Sequence, residues 1–124
     1  MVGHSWGGDT ATEFVQRYPY LIDILVTIDP VGWWMPSRSD INVNQYWINA
    51  NADYNALGGA DASDFISGVG NKWGTDVDGI ADYHYNIPAH HADFWGMAKS
   101  PYINPSITYG WSTPYYGVYG GGSW

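Results

Sequence analysis

The chain contains no cysteine, which excludes disulfides, thiolate metal sites and a cysteine nucleophile. It carries only four Lys and Arg against twelve Asp and Glu, a net charge of −8. So few cations exclude a phosphate-neutralising nucleic-acid surface and a basic amphipathic face for anionic membranes. No apolar run reaches the ~18–20 residues of a membrane span. No signal-peptide pattern is visible at the start, so the compartment stays open between secreted and cytoplasmic. What is abundant is aromatic: 18% of residues, among them 8 Trp and 11 Tyr. Such side chains have an apolar body and a polar tip and suit half-exposed clefts and interfaces. With 124 residues, 45% of them hydrophobic, one domain with a modest core is expected.

The stretch that orders the rest is Gly3-His4-Ser5-Trp6-Gly7, a G-x-S-x-G pattern. A serine at the tip of a sharp strand-to-helix turn sits in a strained conformation, and side chains two positions either side would collide. The spacing therefore asks for glycine at Gly3 and Gly7. A following helix would aim its N-terminal N–H groups where negative charge develops during acyl transfer. Sixteen glycines make a chance match easy, but a helix pattern does follow directly. Ala11, Phe14, Val15 and Tyr18 form one apolar stripe from about Gly8 or Asp9 to Tyr18, and Pro19 stops it.

Next, Ile24 to Ile28 is nearly continuous in apolar, β-rich residues, as in a parallel strand covered on both faces. It ends in Asp29-Pro30. An acid at the carboxyl end of a parallel strand lies where open α/β sheets place their chemistry, although a turn aspartate before proline looks the same. Trp33 and Trp34 follow, either as walls of an acyl pocket or as a plug over the sheet. Val43 to Ala50 reads as another strand, after which Asp53 is a rival acid. Tyr54 to Gly79 is expected to be a long Gly-rich loop, with one short strand near Phe65 to Val69. Within it, Asp76-Val77-Asp78-Gly79 has only the beginning of a calcium loop and lacks the closing Glu. Ile80 to Ile87 alternates with period two and reads as a last strand. His90 and His91 come just after it, with Phe94 able to anchor their loop. Zinc through His84, His90 and His91 is a weaker reading, because ligand pairs on one helix face need i, i+4 spacing.

Gly3-His4-Ser5-Trp6-Gly7, the amphipathic helix and Ile28-Asp29-Pro30 together resemble the central part of an α/β-hydrolase. More narrowly, they are similar to lipases of the pancreatic type, with a G-H-S-x-G elbow and an L-D-P acid after the next strand. Asp29 lies 24 positions after Ser5, which matches that arrangement. The chain also resembles bacterial lipase-like proteins through its later His91-Ala92-Asp93-Phe94. The resemblance covers roughly residues 1 to 99. It implies a Ser5–Asp29–His91 triad acting on a small apolar ester or lipid, with no cofactor and with the Trp6 N–H as half of an oxyanion hole. Asp29 is preferred to Asp53, and His91 to His90.

The fold class implied is α/β: the truncated C-terminal part of an α/β-hydrolase, about three strands with flanking helices. Residues 1–100 form this partial domain, and residues 101–124 a disordered Tyr/Gly/Trp low-complexity tail. The nucleophile strand and the second oxyanion donor are expected to be missing. The missing N-terminal half would then be a separate chain or lie upstream of Met1. The competing function is a non-catalytic hydrolase remnant or a binding module that uses its Trp and Tyr on apolar or sugar surfaces.

Overall fold

The structure is a computed structural model, and it describes residues 1–109. Four parallel strands form one sheet in the order β1-β2-β3-β4: β1 Val2–His4, β2 Ile24–Ile28, β3 Tyr46–Ala52 and β4 Tyr83–Ile87. Helices flank it: α1 Trp6–Arg17, α2 Ala62–Val69, α3 Phe94–Ala98 and α4 Asn104–Tyr109. The class is α/β. Among the described residues, no helix is long and apolar enough to cross a membrane.

The sheet has one strand more than expected, and it is the one that leads into Ser5. Three residues suffice because their ladder is complete, with Val2, Gly3 and His4 opposite Val26, Thr27 and Ile28. The Met1 ammonium donates to the Ile24 carbonyl at 2.7 Å, and the Ser5 N–H to the Ile28 carbonyl at 3.1 Å.

β2 is buried at every position, as its unbroken apolar run predicts, and splits its side chains between two cores. Ile24, Val26 and Ile28 join Ile48, Met97 and Ile103 on one face. Leu25 joins Val15, Trp47, Trp73 and Val77 on the other. Helix α1 buries Gly8, Ala11, Thr12 and Val15. The expected stripe was rotated: Tyr18 is exposed, and its ring meets Phe14 on the surface at 4.9 Å.

Three further expectations need correction. The segment Phe65 to Val69 lies in helix α2, not a strand. Asp61 and Asp64 form a capping box at its start, each carboxylate accepting from the other's end of the turn, and local capping overrides the β-rich composition. Trp33 and Trp34 are 67% and 84% exposed, so they do not plug the sheet. Residues 101–109 are ordered: Ile103 is fully buried, and Ser106 hydrogen-bonds the Tyr46 hydroxyl at 3.2 Å. The rest of the expected disordered tail, residues 110–124, lies outside the described residues.

Candidate active site

Ser5 occupies the joint between β1 and α1, with φ 55° and ψ −130°. A non-glycine residue there costs of order 1–3 kcal/mol and needs its neighbours to hold it. They do: the Ser5 carbonyl accepts from Gly8 N at 2.9 Å and from Val31 N at 3.1 Å. A Cβ on Gly3 would lie 2.2 Å from the Gly7 carbonyl oxygen, so the first glycine of the pattern is required. The second is not required on the same ground, since a Cβ on Gly7 meets nothing within 4 Å. The tight position is Gly8, where a Cβ would lie 2.8 Å from Pro30 Cβ. The elbow therefore packs against the turn that carries Asp29.

Ser5 Oγ lies 2.9 Å from His91 Nε2, and His91 Nδ1 lies 2.6 Å from Asp29 Oδ2. Asp29 is wholly buried and His91 8% exposed. A carboxylate only accepts, so Nδ1 carries a proton toward Asp29, and Nε2 faces the Ser5 hydroxyl. Asp29 sits at φ 43°, the second strained non-glycine residue of the site. Its other oxygen, Oδ1, accepts from Ala52 N at 2.8 Å and pairs with Lys72 Nζ at 2.7 Å. Burial pushes the Asp29 carboxyl up, but hydrogen bonds from His91, Lys72 and Ala52, with the Lys72 charge, outweigh it and hold the pKa below the usual carboxylate range.

The rivals are occupied elsewhere. Asp53 caps the 3₁₀ turn Tyr54–Leu57 by accepting from Ala56 N at 3.4 Å. His90 Nδ1 turns to Asp64 Oδ2 at 2.6 Å. His84 faces Asn49 from β4 at 3.2 Å. The three histidines therefore serve three different partners. Among the described residues, the cluster of three with metal-ligand spacing is Asp61, Asp64 and His90, without His84 or His91.

Three residues next to Ser5, His91 and Asp29 escaped the sequence reading. Asp64 was one of several scattered loop acids; folded, it is 4% exposed and clamps the histidine loop. Its Oδ1 accepts from His91 N at 2.8 Å, and its Oδ2 from Asp61 N at 2.9 Å and from His90. Only the D-x-x-D capping spacing at Asp61 and Asp64 could have flagged it. His4, the variable position of the elbow, donates from Nε2 to the His91 carbonyl at 2.8 Å, and its ring centre lies 4.9 Å from that of His91. Burial lowers the His4 pKa more than the bond to His91 raises it. Lys72 reaches Asp29 because Val31 pairs antiparallel with it and Gly32 N donates to Asn71 O at 3.2 Å. That pairing joins segments about forty residues apart and left no local signal.

Trp6 is the first residue of α1, so its N–H is one of the unpaired donors that open a helix beside Ser5. Compared with protein-family models, curated proteins and solved structures, the chain matches none.

Proposed function

We propose that the chain is a serine hydrolase of the lipase or esterase type that cleaves carboxylic esters through Ser5, His91 and Asp29. The observation that carries the reading is the continuous chain from Ser5 Oγ to His91 Nε2 and from His91 Nδ1 to Asp29 Oδ2. Ser5 attacks the acyl carbonyl while His91 takes its proton; His91 then protonates the leaving alcohol. Asp29 keeps the imidazole in the required tautomer and stabilises its cationic form. Water, activated by His91, releases the acid from Ser5 and regenerates the site. The Trp6 N–H donates to the oxygen that becomes negative, helped by the positive end of the twelve-residue helix behind it.

The residues around the site support a substrate class. Trp6 and Trp95 stand 48% and 67% exposed, on the helix after the nucleophile and on α3 after the histidine loop. The cations of the region are engaged, Lys72 with Asp29 and Lys99 over the Trp95 ring. Exposed apolar rings, with these two lysines already engaged, favour an uncharged, apolar acyl ester. The test is intact-mass analysis after exposure to a fluorophosphonate. The wild-type chain should gain one adduct, and Ser5→Ala and His91→Ala should gain none. Equal labelling of Ser5→Ala, or a folded wild-type chain that stays unlabelled, would refute the reading.

A further inference from the structure

We propose that Lys72 is a positioning residue for the triad acid, neutralising one oxygen of Asp29 so that the other serves a neutral His91. The inference rests on the hydrolase reading of the site. Asp29 is wholly buried and the Lys72 side chain is 14% exposed, so the pair is shielded from screening. Lys72 is doubly held: Nζ reaches Asp29 Oδ1 at 2.7 Å and donates to the Ala52 carbonyl at 2.9 Å. Its Nζ also lies over the Tyr54 ring, 5.6 Å from the ring centre.

The chemistry follows from counting charge. A buried carboxylate whose only ionisable partner is an imidazole draws a proton onto that imidazole, because an uncompensated buried charge is costly. A protonated His91 cannot act as the base for Ser5. Lys72 supplies the compensating charge from the opposite side, so the resting pair is neutral overall with His91 uncharged. The other ionisable groups against the pair are His4 from β1 and, on the far side of the loop, Asp64 with His90 and Asp61. Burial lowers the His4 pKa and Asp64 is matched by His90, so neither replaces Lys72.

The chain's lack of cysteine provides a clean test. Lys72→Cys introduces one thiol, and Lys72 lines a solvent-open cleft of about 480 Å³ with Asn51, Tyr54 and Asn86, through which a reagent can reach it. Alkylation with 2-bromoethylamine restores an ammonium at the end of a lysine-length chain, and alkylation with 2-iodoethanol gives a neutral analogue of the same size. The first readout is the acid limb of kcat/KM for p-nitrophenyl butyrate. The second is the pH midpoint of the Asp29–His91 pair, read on the His91 ring resonances by NMR.

A unit charge roughly 6 Å from the imidazole predicts a midpoint about one to two pH units higher in the neutral derivative. KM should stay within about twofold, and the aminoethyl derivative should match wild type. Coincident midpoints in the two folded derivatives would overturn the proposal. So would a neutral derivative that unfolds while the aminoethyl one folds, since Lys72 would then be a structural ion-pair partner. A wild-type chain that hydrolyses nothing would refute the hydrolase reading alone, because the NMR midpoint still tests the charge of Lys72.

Discussion

The carboxylate of Asp64 carries more of the site than its place in a Gly-rich segment suggests, and Asp64→Asn tests this. Three donors converge on it: Asp61 N at 2.9 Å, His91 N at 2.8 Å and His90 Nδ1 at 2.6 Å. An asparagine keeps the shape but offers one accepting oxygen, so its NH2 must face at least one of the two backbone donors, Asp61 N or His91 N. A buried donor left unpaired costs about 1–3 kcal/mol, and each hydrogen bond to a charged group contributes about 1.5–3 kcal/mol. Together these give a loss of roughly 3 kcal/mol. For a domain of this size that lowers the melting midpoint by roughly 10–20 °C. Urea unfolding followed by Trp fluorescence measures it directly. The pH dependence has a definite sign. Burial pushes the Asp64 carboxyl up, but the hydrogen bonds from Asp61 N, His90 and His91 N outweigh it and hold the pKa below the usual value. The contribution is therefore complete above the ordinary carboxylate pKa of about 3.9 and is lost as pH falls through the lower folded value. The gap between wild type and Asp64→Asn should narrow in acid. A loss under about 1 kcal/mol at pH 7, or a gap that widens in acid, would show that the clamp does not hold the loop.

Three other outcomes follow from the geometry. Gly7→Ala should raise stability by about 0.5–1 kcal/mol, because it replaces a helical glycine in open space, whereas Gly3→Ala and Gly8→Ala should each cost about 1–3 kcal/mol by overpacking; thermal melts rank the three. Asp29→Asn should lower kcat by of order 10⁴-fold through the wrong His91 tautomer, and Asp53→Asn should leave it within about threefold; steady-state hydrolysis of p-nitrophenyl butyrate separates the two acids. The hydrogen bond to Asp64 raises the His90 pKa; burial works against it, and the charges of Asp61, Asp64 and Asp93 add to the rise. The stabilisation from charged His90 is thus complete below about pH 6.5 and lost as pH rises through the raised folded value; the melting midpoint of His90→Gln should trail wild type at pH 6 by more than at pH 9.

The parts of this molecule that the sequence exposes are those whose cause is local. The run Ile24 to Ile28 is a buried strand with the expected bounds, because continuous apolar character has one use in a parallel sheet. Ser5, Asp29 and His91 come together because each sits just past a strand end, and the strand ends line up in register. The strand β1 was missed because three residues carry no periodicity and are made a strand by β2. Helix α2 was missed because eight residues with Phe65, Ile66 and Val69 look β-rich, and its capping box outweighs that preference. The burial of Ile103 and Ser106 depends on packing against residues of β2, β3 and α3, which no window of sequence contains. Lys72 and Asp64 act through partners 43 and 27 positions away, so their chemistry was invisible until the chain was folded.

A Ser5 nucleophile activated by His91 and Asp29 should carry the acyl group during the first turnover. Mixing the chain with p-nitrophenyl butyrate, quenching in acid within that turnover and mapping the acylated peptide by mass spectrometry checks this. A burst of p-nitrophenol approaching one equivalent is expected, with the butyryl group on Ser5 and none on Ser5→Ala. A folded chain that gives no burst, or that carries the acyl group on another residue, would contradict it.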